Sequence, residues 1–427
     1  MRGASKRAAL ALGLAAATAC TTFGADRVNP EKPSWFTTPS GDMQVMFRRP
    51  LTIEGRKSGE PYEHGRPEID PAGRRVFVGS SDRGLYAIRA FDGSSIWRFE
   101  TAGMVQSEPL YDPDLDVVYF GSNDGALYAV HAADGALLWR YNCGSEIWRK
   151  PVLSGDTLIF VNASDQVFAV DRATGKTRWQ IKRTPALGME IGGYGGPAID
   201  GGRVYIAYSD GHVGAYDARD GAEKWLVDLS AEAEQSLATT GETQRYLDVD
   251  TTPLPLEVNG VGPVVLAASY AGGVYALDAT NGSRVWANNE ARGVHTLTPW
   301  FERAHTPNPT GPDRNGPWVP AKEIVFASSA GTGLWALDPQ TGRKIWRLPV
   351  PEGGLTAPVP VAGAIAVGTT RYGLFLLSPV NGRVIDAINL DSGFAETPAA
   401  YGNRLYALSN AGTLLGLSID PPLLARR

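Results

Sequence analysis

A 12-residue step recurs along this chain and constrains its fold more than any other feature. Six phrases open on an apolar residue and close on a Trp 12 positions later: Leu85 to Trp97, Leu127 to Trp139, Val167 to Trp179, Val213 to Trp225, Val274 to Trp286 and Leu334 to Trp346. Successive copies begin 40 to 61 residues apart, so one structural unit is repeated and the fold must be read from that unit. In a copy such as GVYALDATNGSRVW, 273 to 286, apolar and small residues alternate, a polar residue leads to Gly, and alternation resumes into Trp. The pattern is strand, turn, strand: Gly supplies the positive φ a tight hairpin needs, and Asp or Asn bonds the turn backbone. Upstream, a Ser/Thr-x-Pro-like step (Pro109, Pro151, Pro197, Pro253, Pro358, Pro398) introduces a second strand pair, as in VVYFGSNDG at 117 to 125. Four short strands in about 40 residues make one blade of a β-propeller.

Two degenerate copies complete the count. Residues 373 to 386, GLFLLSPVNGRVID, keep the step but place Asp386 where Trp is expected; GTLLGLSID at 412 to 420 starts correctly, and its Trp position would be Arg426, one residue before the end. The last copy therefore lacks its fourth strand. The apolar segment MQVMFRRPL, 43 to 51, precedes the first full copy and can supply it, with Phe47 in place of Trp. The expected fold is all-β: an eight-bladed β-propeller of four-stranded antiparallel blades over 43–427, its ring closed by an N-terminal strand that removes an open sheet edge. Each repeated Trp is read first as packing between blades, where a ring burying roughly 150–250 Å² contributes several kcal/mol at about 25 cal/mol/Å², as an upper bound.

The N-terminus reads as an export signal. Arg2, Lys6 and Arg7 precede the apolar run AALALGLAAATA and then Cys20. The end of the run, Ala17-Thr18-Ala19-Cys20, resembles a bacterial lipobox. That resemblance implies a signal peptide over 1–19, lipidation at Cys20 and a flexible tether over 20–42; Thr21, in place of an inner-membrane-retaining Asp, points to the outer membrane. The other reading is ordinary cleavage near Cys20, which leaves a soluble periplasmic protein. Cys143 is the one remaining cysteine, so with Cys20 lipidated the fold relies on packing without an internal disulfide; an inert, partly buried thiol is expected there. A net charge of −5 argues against non-specific nucleic-acid binding.

Catalytic constellations are missing from the sequence. The five histidines, His64, His131, His212, His295 and His305, show no HExxH or HxH spacing, and neither CxxC, GxSxG nor a P-loop occurs. His295 and His305 flank a Pro-rich insertion and can face the ring's channel, but the reading preferred for both is solvated loop histidine. The core A-x-D-x-x-T-G-x-x-x-W at 169 to 179, with its near-copy at 276 to 286, resembles the repeat of quinoprotein dehydrogenases that bind pyrroloquinoline quinone. Many alcohol-oxidising members carry an adjacent Cys-Cys disulfide near the cofactor, which two distant cysteines cannot provide. That resemblance carries the fold and speaks against the enzyme, so no catalytic residue, cofactor or metal is expected.

The constancy of the repeat exposes its exceptions. From the blade-closing position to the next Pro the spacing is 12 after Trp97, Trp139, Trp346 and Asp386, but 18 from Trp179 to Pro197 and 28 from Trp225 to Pro253. These consecutive connections should emerge side by side on one face, and a third insertion, 300 to 322, falls in the sixth blade. Excess length in a repeat protein goes to loops, where function concentrates. The long connections contain TPALGMEIGGYGGPA, 184 to 198, and TTGETQRYLDVDTTP, 239 to 253. With LDVDTTP entering a propeller strand, eight repeats and a lipobox, the chain resembles the BamB family, lipoprotein propellers of the β-barrel assembly machine of Gram-negative outer membranes.

The resemblance implies a non-enzymatic scaffold, lipid-anchored on the periplasmic face of the outer membrane. Its implied partners are the POTRA domains of the barrel-inserting subunit and unfolded outer-membrane proteins. The family's acidic pair falls on Asp248 and Asp250, and its apolar element on Leu187 and Met189, with Glu190 where the family has Arg. Bland readings stand beside these: Asp248 and Asp250 bond the turn backbone before Pro253, and Leu187 and Met189 cover the ring face. Other functions open at this level are a quinone-dependent oxidoreductase and a propeller that binds an envelope glycan or a signalling partner.

Overall fold

The computed structural model describes residues 40–51, 63–183, 195–230, 248–249, 251–270, 272–307, 315–350, 354–371, 373–388 and 393–420, with backbone alone for 303–307 and 315–321. These residues form 32 strands in eight four-stranded antiparallel sheets, as the repeat predicts. Seven blades are continuous in sequence: 68–100, 110–142, 152–182, 198–228, 254–288, 294–348 and 359–388. The eighth joins Ala399–Tyr401, Arg404–Leu408 and Thr413–Ile419 to the N-terminal strand Met43–Pro50, which pairs antiparallel with Thr413–Ile419. Within the seven continuous blades the strands follow chain order, and first strands of adjacent blades approach one another about the axis, as blade one's does with those of blades two and eight. Two β-rich middle strands per blade are buried on both faces, and they build the hydrophobic layers between blades.

The repeated Trp joins each blade to the next. In all six copies it lies on the outermost strand opposite an Ala, from Ala87↔Trp97 to Ala336↔Trp346, and the pairing shifts immediately after that Ala. The indole N–H donates to a turn carbonyl of the following blade: Trp97 to Ala132, Trp139 to Arg172, Trp179 to Ala218, Trp225 to Ala279, Trp286 to Pro339 and Trp346 to Pro379, at 2.9–3.1 Å. Its ring covers the turn glycine of that blade. A Cβ on Gly135 would stand 2.8 Å from Trp97, and Gly135 has φ 75°, so conformation and space both require glycine there.

The degenerate copies have a structural cause. Phe47 faces Gly416 in the register the Trp residues use, and a Cβ on Gly93 would meet its ring at 2.4 Å. It thus performs the Trp packing at the eighth junction, while the Tyr406 hydroxyl supplies the missing hydrogen bond, to the Ala90 carbonyl at 2.9 Å. Between blades seven and eight the described residues form no hairpin turn for a Trp to cover, because the chain enters there as the closing strand. Asp386, 1% exposed, instead accepts hydrogen bonds from the Met43 amide at 2.8 Å and the Ser40 amide at 2.9 Å. The closing segment is therefore engaged from Ser40, three residues before the strand.

The Ser/Thr-x-Pro step is also structural. The hydroxyls of Ser107, Thr251 and Thr356 accept from the amides of Gly121, Ala268 and Gly368 at 2.8–2.9 Å, fastening each blade's innermost segment to its second strand. Antiparallel order then puts blade-to-blade connections on one face of the ring. The first-to-second-strand hairpins lie on the other. Residues 300 to 322, expected as a loop, instead continue the first hairpin of blade six: Val294–Pro307 and Asn315–Ser329 stay paired out to Pro307↔Asn315. A projecting two-stranded ribbon has free edges, so its prolines remove no needed donor. His305 lies on this ribbon opposite Trp318, whereas His295 lines the channel.

Candidate partner-binding face

The two long connections root next to each other. The first leaves blade three after Arg183 and rejoins at Gly195; the second leaves blade four after Ser230 and rejoins through Asp248, Val249 and Thr251. Their returning ends are bonded, with the Gly196 amide donating to Thr252 Oγ1 at 2.8 Å. A Cβ on Gly195 would lie 2.5 Å from the Thr251 carbonyl oxygen, so the two connections approach backbone to backbone. The side-by-side emergence read from the spacing is thus present at their roots.

Beside their described ends lies a polar and aromatic floor built on the turn after blade four's second strand. The Arg183 guanidinium sits 4.6 Å from the centre of the Tyr208 ring and pairs with Asp210 at 2.5 Å. Burial pushes the Asp210 carboxyl up, but Arg183 and His212 override it and hold it below the usual range. The Tyr208 hydroxyl donates to that of Tyr216 at 3.0 Å. Asp165, from blade three, accepts from the Ser209 hydroxyl and from its amide at 3.2 Å, while burial raises its pKa. Val249, where the second connection rejoins, is fastened to this group by its amide, which donates to the Tyr208 carbonyl at 3.3 Å. Sequence reasoning passed over Arg183, Tyr208 and Asp210; the available signal was that Arg183 occupies the position where the 12-residue connection first breaks.

Asp248 is the one predicted site residue among those described. Its carbonyl accepts the Tyr270 amide at 3.0 Å, which is a turn-bonding role for the backbone. Its side chain does something different: Oδ1 is buried and has no hydrogen-bond partner. A buried carboxylate oxygen without a donor is costly. Asp250, Leu187, Met189, Glu190 and Cys20 lie outside the described residues.

The channel opens onto the same face. Its wall on blades eight, one, two and three carries a chain of ion pairs: His64 Nδ1 lies 2.9 Å from Glu396, Arg66 pairs with Glu396 and, at 3.6 Å, with Glu108, and Lys150 reaches Glu108 at 3.2 Å and Glu68 at 2.6 Å. Burial alone would raise Glu396, yet Arg66, with His64, holds it at about 2. Burial opposes the charge of Lys150, but Glu108 and Glu68 keep it above its usual pKa. Among the described residues no group of His, Cys, Asp and Glu is placed to hold a metal ion. Cys143 is 8% exposed, its thiol lies 3.1 Å from the Ser145 carbonyl, and burial raises its pKa, so it is held as an unreactive thiol. No helix among the described residues is long and apolar enough to cross a membrane.

Comparison with known proteins places this geometry in context. A family model described as outer membrane protein assembly factor BamB matches residues 113–348 and 333–421. The outer membrane protein assembly factor BamB of Yersinia pestis is 26% identical over 350 residues, covering 81% of this chain and 70% of that protein. Among solved structures, BamB from Moraxella catarrhalis superposes with a TM-score of 0.66 at 21% identity, covering 88% of this chain and 99% of that one. The quinohemoprotein alcohol dehydrogenase of Comamonas testosteroni reaches 0.62 at 16% identity over 92% and 78%. At these identities the structural likenesses establish the propeller fold alone.

Proposed function

This chain belongs to the BamB family of outer membrane protein assembly factors, and we propose that it acts as a non-enzymatic periplasmic scaffold. In this reading it binds the POTRA domains of the barrel-inserting subunit and assists the folding and insertion of outer-membrane proteins. The observation that carries the proposal is the pair of enlarged connections fastened together at their roots, with a buried, unpartnered Asp248 carboxylate oxygen where the second one returns. A basic partner side chain reaching this half-buried residue relieves that unsatisfied oxygen, and Asp250 two residues on adds a second anionic position. Such a pair steers and orients an encounter. Leu187 and Met189 on the first connection supply the apolar component, and Glu190 selects a partner with a cation at that contact. A rigid ring presents both connections with little ordering cost on binding.

Tethering through a lipid on Cys20 and a spacer that ends where Ser40 is bonded to the ring keeps the ring at the periplasmic face of the outer membrane. Nothing in this role requires a cofactor. The test is an envelope pull-down with tagged full-length protein, read by mass spectrometry. The barrel-inserting subunit should be recovered with the wild type and depleted with Asp248→Lys/Asp250→Lys, while circular dichroism stays unchanged. Equal recovery by both proteins refutes the site.

A further inference from the structure

The central channel holds a second candidate site that owes nothing to the enlarged connections. Two contiguous lobes of ≈ 480 and ≈ 390 Å³ share Arg66, Arg149, His295 and Thr296 in their walls. Volumes of this order suit a small organic ligand. The lobes are lined unequally. Blades eight, one, two and three contribute the ion-paired wall; the opposite wall, from blades four to seven, is built of small and uncharged side chains, with His295 its one titratable group.

Two groups on that uncharged wall have unused hydrogen-bonding capacity. His295 Nε2 lies 2.6 Å from the Leu355 carbonyl oxygen, and since a carbonyl only accepts, the proton resides on Nε2. Burial, reinforced by Arg149 and Arg66, keeps this imidazole neutral. Nδ1 is therefore an acceptor looking for a donor. Next to it, the Thr296 hydroxyl is buried with no partner. Thr296 lines both lobes, so rotation about its Cα–Cβ bond can turn this hydroxyl into the cavity. Trp148 stands at the mouth lobe with its indole N–H already given to Glu146 at 2.7 Å, so its half-buried ring has only an apolar surface left to offer.

We infer that the channel mouth binds a neutral, hydroxyl-rich small molecule, a mono- or disaccharide in chemical class. A sugar hydroxyl donates to His295 Nδ1, another pairs with Thr296, and the C–H face of the ring lies on Trp148. Formal charge selects against ions. Arg66, Arg149 and Lys150 balance Glu68, Glu108 and Glu396 in formal charge, and Arg66 and Lys150 are already paired with those carboxylates, so the lining offers an ion no net opposite charge, whereas a neutral ligand leaves the chain of pairs intact.

The experiment uses the full ring with glucose, N-acetylglucosamine and maltose as probes, by saturation-transfer NMR and calorimetric titration, with citrate, phosphate and glycine as charged comparators. At least one sugar should bind saturably at one site. Thr296→Val should weaken it about tenfold, the loss of one hydrogen bond, while leaving the thermal midpoint equal or higher, since the valine removes an unsatisfied hydroxyl. Trp148→Ala should weaken it further. Failure of all three sugars to bind, binding unchanged in both variants, or saturable binding of the charged comparators in their place each overturns the inference.

Discussion

Replacing Asp386 tests why the repeat fails where it does. Its carboxylate accepts two long-range hydrogen bonds from the closing segment, at 2.8 and 2.9 Å, and it is buried. Hydrogen bonds to charged groups contribute about 1.5–3 kcal/mol each, so Asp386→Ala should cost about 3–6 kcal/mol. With roughly 2.1 cal/mol/K of unfolding entropy per residue, a ring of this size loses only about 1 °C of Tm per kcal/mol, and many core substitutions would do the same. The informative readout is local. Amide exchange of the peptide covering 40–50, followed by mass spectrometry, should accelerate at least about 100-fold, while the blade-three peptide covering 157–161 is unchanged. Asp386→Trp, which restores the repeat phrase, should also destabilise the closure, because no following turn exists for its ring to cover. Uniform acceleration around the ring, or a Trp variant more stable than the native chain, would refute the clamp.

Further outcomes follow from the same geometry. Trp225→Ala removes a ring covering Gly282 and a 3.1 Å hydrogen bond to Ala279, and should cost about 3–5 kcal/mol in urea unfolding. Glu396, with its folded pKa depressed to about 2 from the ordinary 4.5, contributes stability that is complete above pH 4.5 and lost as pH falls through about 2. Glu396→Gln should therefore flatten the acid limb between pH 4.5 and 2 in thermal scans. Cys143 should react with a thiol reagent only after denaturation, at the unfolding rate; prompt stoichiometric labelling of the folded ring would contradict its burial.

The constant 12-residue step made the architecture readable because every copy repeats one physical junction, a ring on a glycine turn and an indole bonded to the next blade. Phe47 was readable for the same reason, being an aromatic residue where a junction needed one. The clamp by Asp386 was not, since its partners, the Ser40 and Met43 amides, are more than 340 residues away in sequence. Residues 300 to 322 misled through their prolines, which forbid an interior strand but are tolerated on a free-edged ribbon. At the candidate face, Asp248 was reached through the enlarged spacing and the family resemblance. The floor of Arg183, Tyr208 and Asp210 was missed because it combines the end of one blade with a turn of the next. The channel ion pairs join blades eight, one, two and three, and no local pattern announces such a meeting.

In the proposed scaffold role the enlarged connections dock a partner through their acidic residues. The most direct measurement is the affinity of the purified POTRA array of the barrel-inserting subunit for this ring, by calorimetry, against the Asp248→Lys variant and at two salt concentrations. Charge reversal should weaken binding at least about 30-fold, the lower bound for breaking a desolvated charge pair, and the wild type should bind more weakly at the higher salt. Equal affinity for both proteins, insensitive to salt, would contradict it.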